Sequence, residues 1–222
     1  MTPARQRFHE IHYLIRQRIA LLQYPPQTRL DIDKLATEFK VSRTPIRTVL
    51  QRLEYQGLVV TRHGVGTTVS DIDFEHLREA VIFRMRLAEL IGELSPLDPA
   101  PEVINDLATA RADCHQLLAQ PPNLEAFGRI DIRVHESICS LIGNAHLQQV
   151  YDDLYYRTVR IWFHFLPRLN WQDEIAIFLR YIEDQLVAMQ RGDTRAVGFL
   201  IRNAVSGVVI RLDHLFAEME VN

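Results

Sequence analysis

VSRTPIRTVLQRLEYQGLVV, residues Val41 to Val60, decides the fold. Ile46, Val49, Leu50 and Leu53 recur at i, i+3, i+4 and i+7, the buried stripe of one amphipathic helix. Thr44-Pro45 marks its start. The residue before proline avoids the helical region and proline suits the first helical position, so Thr44 is the expected N-cap, with Ser42 the alternative. Gly57 supplies the left-handed residue that closes the helix. With the stripe turned inward, Arg43, Thr44, Arg47, Thr48 and Gln51 face outward, crowded toward the helix start. A helix that only packs in a core has no use for guanidinium groups in its first turn; a helix that inserts its beginning into a DNA groove does.

The flanking residues complete that unit. Phe8, Ile11, Ile15, Ile19 and Leu22 recur at helical spacing until Tyr24-Pro25-Pro26 ends the run. Asp31 can cap a short second helix with Ile32, Leu35, Ala36 and Phe39 on its apolar face, and Lys40-Val41-Ser42 is the turn between helices. Beyond Gly57, two β-rich runs surround Arg62-His63-Gly64-Val65-Gly66 and read as a hairpin. Helix, helix, turn, basic helix and hairpin make a winged helix-turn-helix over residues 1–70. Arginine at the helix start can take guanine O6 and N7 together, and hydroxyls of Ser42 and Thr44 suit phosphates. His63 and Gly64, at the wing tip, can approach the DNA backbone or minor groove.

Charge agrees with this division. The 222 residues carry a net −3, but residues 1–70 carry +6 and the remainder −9, so the basic third is the part expected to meet a polyanion. Two cysteines, Cys114 and Cys139, make no disulfide framework and point to a reducing cytoplasm. The first residues lack the apolar core of a signal peptide and no run approaches transmembrane length, so the expectation is a soluble protein without a membrane partner.

Leu35-Ala36, then VSRTPIRTVLQRLEYQGLV, then RHGVGTTV resemble the winged helix-turn-helix of the GntR family of bacterial regulators, nearly continuously from Leu30 to Val69. The resemblance implies that Ser42, Arg43, Thr44, Arg47, His63 and Gly64 touch operator DNA, with Arg29, Arg52 and Arg62 as further phosphate contacts. Asp33 departs from it, standing where some members place a basic contact residue.

After the polar joint Ser70-Asp71-Ile72-Asp73 no strand pattern appears. Helices fit about 73–94, 101–119, 123–142, 145–166, 171–191 and 193–218, separated by Ser95-Pro96, Gln120-Pro121-Pro122, Gly143-Asn144, Pro167 and Gly192-Asp193. The fold class is therefore mainly α: a winged head followed by an antiparallel bundle of about six helices over residues 71–222. This segment resembles the ligand-sensing FCD-type domain of the family's fatty-acid-regulator-like subgroup. Asp131 and His135, at i and i+4, share one helix face. The resemblance implies that they begin a metal site completed at Ile182 and near Ala204, neither of which can ligate. The expectation is thus no built-in metal, with zinc or nickel as the alternative, and Asp131 and His135 lining an effector cavity. Arg84, Arg133 and Arg157 lie on helices around it and suit an organic acid; Tyr155, Tyr156, Trp162 and Phe163 read as core or dimer contacts. The resulting expectation is a homodimeric, effector-controlled regulator of repressor type. A metal-assisted enzyme with a DNA-tethering head is the alternative from another class, and no nucleophile motif or phosphate loop supports it.

Overall fold

A computed structural model describes residues 2–221. Its elements, in chain order, are α1 (Pro3–Ala20), α2 (Ile32–Glu38), α3 (Arg43–Tyr55), β1 (Val59–Arg62), β2 (Gly66–Val69), α4 (Phe74–Glu89), α5 (Pro101–Leu117), α6 (Leu124–Cys139), α7 (Ala145–Phe165), a single 3₁₀ turn, α8 (Trp171–Gln190) and α9 (Thr194–Val221). The chain forms two compact units. One runs to Leu77 and includes Tyr156–Ile161; the other holds Arg78–Tyr155 and the residues from Trp162 onward. The division falls in the first turns of α4, past the polar joint at Ser70. Among the described residues no helix is long and apolar enough to cross a membrane.

In the first unit Ile11, Ile15 and Ile19 of α1 meet Ile46, Val49, Leu50 and Leu53 of α3, all essentially excluded from solvent, with Leu35 of α2 and its C-cap Phe39 also buried. Asp31 caps α2, its Oδ1 accepting from the backbone N–H groups of Asp33 (2.8 Å) and Lys34 (3.1 Å). The two helices join through Lys40 at φ 53°. α3 starts two residues earlier than Thr44-Pro45 suggests: Ser42, not Thr44, is the N-cap, and Pro45 occupies the third helical position. That position still lies among the N–H groups with no intrahelical acceptor, so proline costs no hydrogen bond there. Gly57, at φ 74°, ends the helix in a Schellman arrangement, with its N–H on the Glu54 carbonyl and the Leu58 N–H on that of Leu53. β1 and β2 then pair antiparallel, Val59 opposite Val69 and Arg62 opposite Gly66.

The second unit is helical throughout. α5 packs on α6 and α8, and α8 on α9. Asn123, Asn144 and Asn170 cap α6, α7 and α8, each accepting first-turn N–H groups. Phe127 anchors the core, met edge-on by Trp162, Trp171 and Phe178 at 5.0–5.6 Å between centroids. The buried carboxylate of Glu174 is satisfied by Arg211 (2.6 and 3.0 Å) and the Trp162 indole (3.2 Å). α4 ends at Glu89, short of the expected Leu94. The chain then turns through Ser95 at φ 54°, so that Pro96 bridges Ile142.

Candidate nucleic-acid interface and effector site

Because α3 buries its apolar stripe, Ser42, Arg43, Thr44 and Arg47 are left on one exposed face at the positive end of the helix. Ser42 makes no side-chain capping bond, so the first N–H groups of α3 are open to an anion. Thr48 is less available than its position suggested, its hydroxyl donating to the Thr44 carbonyl (3.2 Å). Arg62, His63 and Gly64 are exposed at the wing tip. Arg29, also exposed, is held against the wing: its backbone bridges Thr68, and its guanidinium lies over Gly66. Arg52 is drawn back toward the ring of Tyr55, 5.4 Å from its centroid.

Asp33 explains its own departure from the family pattern. Its Oδ1 lies 2.5 Å from Arg43 Nε, with both side chains more than half exposed. An exposed pair of this kind contributes little stability, but it places a negative charge beside an arginine of the exposed basic face of α3. Asp33→Ala removes that charge, and duplex affinity is expected to rise roughly three- to tenfold at low salt. Fluorescence anisotropy measures it; unchanged or weaker binding would mean that Asp33 orients Arg43 productively.

In the second unit, α4, α6, α7 and α8 bring Arg84, Asp131, Tyr151, Tyr155 and Tyr181 together. The Tyr155 hydroxyl donates to Asp131 Oδ2 (2.5 Å), and the ring of His135 stacks on that of Tyr155 with centroids 3.5 Å apart. The Arg84 guanidinium lies over Tyr155 (4.9 Å) and Tyr151 (5.6 Å). Burial pushes the Asp131 carboxyl up to about 6, against the opposing pull of the Tyr155 hydrogen bond and Arg84. Burial likewise pushes the phenol of Tyr181 well up.

Two expected members of this site lie elsewhere. Arg133 turns to Asp113 on α5 (2.8 Å), and Arg157 belongs to the first unit, with its guanidinium against Gly57. Each is two residues from a cluster member, Asp131 and Tyr155 respectively, and residues two apart on a helix point to different faces. Tyr155, read from sequence as a core or dimer residue, is buried in the core and also lends its hydroxyl and ring to the cluster. Tyr151 and Tyr155 carried a usable signal in their i, i+4 spacing; Tyr181 did not. The metal set implied by resemblance does not fit, because Ile182 is fully buried and apolar and Asp131 is engaged by Tyr155.

The raised carboxyl of Asp131 has a stability consequence. Its folded value of about 6 lies above its ordinary 3.8. The associated stability is therefore complete below about pH 4 and lost as pH rises through 6, about 3 kcal/mol in all. Urea unfolding between pH 4.5 and 8 is expected to show wild type losing stability relative to Asp131→Asn across this window. A constant offset between the two would contradict it.

Comparisons with known proteins agree with this architecture. The family model for bacterial regulatory proteins of the gntR family matches residues 9–69, and that for the FCD domain matches residues 79–207. An HTH-type transcriptional regulator in an unstable DNA locus of Streptomyces ambofaciens is 29% identical over 148 residues, covering 66% of this chain and 61% of that one. The HTH-type regulator YdhC of Bacillus subtilis (strain 168) is 23% identical over 129 residues, 58% of each chain. The matches thus span about three fifths of these relatives' length. Among solved structures, E. coli McbR/YncC superposes with a TM-score of 0.79 at 16% identity, covering 97% of this chain and all of that one. A putative GntR regulator from Rhodococcus sp. RHA1 gives 0.67 at 18%, covering 93% and 97%. At such identities these likenesses show the fold alone. The two family matches account for most of the described chain, and the chain belongs to the GntR family of bacterial regulatory proteins, with a gntR-type winged helix-turn-helix followed by an FCD domain.

Proposed function

We propose that the protein represses transcription as a homodimer, each winged unit reading one operator half-site, and that an organic acid bound in the FCD domain releases it. The observation that carries the DNA part is the exposed, basic, uncapped start of α3 beside an exposed wing. Dimerisation follows from reach: one head makes too few base contacts for operator-level specificity. The acid is suggested by Arg84, a guanidinium set among phenols beside a carboxyl that titrates near 6. An incoming carboxylate takes Arg84 most readily when Asp131 is protonated. The side-chain amide of Gln185, fully buried beside Tyr181, offers its oxygen as an acceptor to a ligand hydroxyl. Effector and operator then oppose each other reciprocally.

A thermal-shift panel of small mono- and dicarboxylic acids, with their neutral amides as controls, tests this reading. At least one acid is expected to raise the melting temperature and to weaken duplex binding, and Arg84→Gln to abolish both. A response to amides alone, or one that survives Arg84→Gln, would overturn it.

A further inference from the structure

We infer that His135, Cys139 and Asp152 form a binding site for a thiophilic divalent metal of the zinc type, displaced from the ligand positions that the family resemblance implies. His135 and Cys139 stand one turn apart on α6, and Asp152 comes from α7, so all three side chains are carried on rigid helices. Asp152 Oδ1 lies 2.9 Å from His135 Nε2, Cys139 Sγ lies 3.3 Å from the same nitrogen, and one donor atom from each residue falls within 4.8 Å of the others. In a tetrahedral zinc site, bond lengths of about 2.0 Å to nitrogen and oxygen and 2.3 Å to sulfur set neighbouring donors about 3.3–3.6 Å apart. The pairs on Nε2 need to open by only a few tenths of an ångström.

The convergence on one nitrogen favours a cation over a hydrogen-bonded triad. A metal ion accepts a lone pair from His135, Cys139 and Asp152 at once. Sγ also lies 4.0 Å from Nδ1, on the flank of the ring, so rotation about the Cys139 Cα–Cβ bond completes the coordination. Tyr155, stacked on His135, holds the imidazole plane, and the Gln148 amide donates to the Cys139 carbonyl (2.9 Å), steadying the end of α6. His135 is thus shared with the implied family set, while Cys139 and Asp152 replace the positions lost at Ile182 and Ala204. Thiolate and imidazole select zinc-like ions against magnesium or calcium. Three protein ligands leave a fourth position for water.

The test uses the full chain purified without chelator and reduced. Equilibrium dialysis with elemental analysis is expected to find one zinc per chain that excess magnesium does not displace. Cobalt(II) is expected to give a thiolate-to-metal charge-transfer band. Cys139→Ser should remove that band, Asp152→Asn should weaken zinc binding roughly tenfold or more, and the exposed-histidine variant His146→Gln should change neither. On wild type, where folding of a variant is not in question, zinc should protect Cys139 from iodoacetamide. Substoichiometric zinc, a band persisting in Cys139→Ser, loss of binding in His146→Gln, or unchanged alkylation of Cys139 would each overturn the site. None of these readouts uses DNA or an organic acid, so failure here leaves the proposed function untouched.

Discussion

Arg47→Ala is expected to weaken binding to a selected operator duplex by about 1–3 kcal/mol and to relax preference at one position in each half-site. The magnitude is that of one bidentate hydrogen-bond pair to guanine. Arg47 is exposed and lies outside the buried stripe of Ile46, Val49 and Leu50, so its removal leaves the core of the first unit unaltered. The circular-dichroism melt should match wild type, which separates a defect in DNA reading from a defect in folding. Replacing Arg62 in the wing should behave differently: without its phosphate interaction all duplexes bind more weakly by about the same factor, and the salt dependence falls. Equal losses on specific and random duplex for Arg47→Ala would remove it from the groove.

Gly198→Val is expected to destabilise the FCD domain by about 3 kcal/mol or more, lowering the melting temperature by about 6–12 °C. A Cβ at Gly198 of α9 would lie 2.3 Å from the Ala88 carbonyl oxygen of α4. That neighbour is backbone at the end of a helix and cannot swing aside as a side chain can. Alanine would recover up to about 1 kcal/mol of helix propensity, but it meets the same oxygen, and valine adds bulk without that gain. Ile210→Ala, at a half-exposed position on the same helix, should change little. A melt of Gly198→Val indistinguishable from wild type would mean that α4 and α9 pack less closely than this backbone approach requires.

The sequence showed the winged head almost residue by residue because its punctuation is chemically strict. Pro45, Gly57 and the i, i+3, i+4, i+7 stripe each permit few backbone solutions, and only the cap, Ser42 in place of Thr44, moved. The six later helices were legible from Pro, Gly and Asn breaks, to within a few residues at most ends. The polar cluster was not. Asp131 and His135 announced themselves by spacing, but helix phase turned Arg133 toward Asp113, and nothing local placed Arg84 over Tyr155. Asp152 sits 17 residues from His135, and its part in the donor set depends on how α6 and α7 face each other. Periodicity gives each helix an inner face; it does not say which inner faces meet.

The central claim is that the start of α3 reads base edges. A duplex selected by the full chain from a random pool, then rebuilt with 7-deazaguanine at each guanine in turn, removes one N7 acceptor at a time from the major groove. Wild type is expected to lose affinity at a single guanine in each half-site, and Arg47→Ala to be indifferent to that same replacement. Equal sensitivity of the two proteins at every guanine, or no sensitivity in wild type, would contradict it.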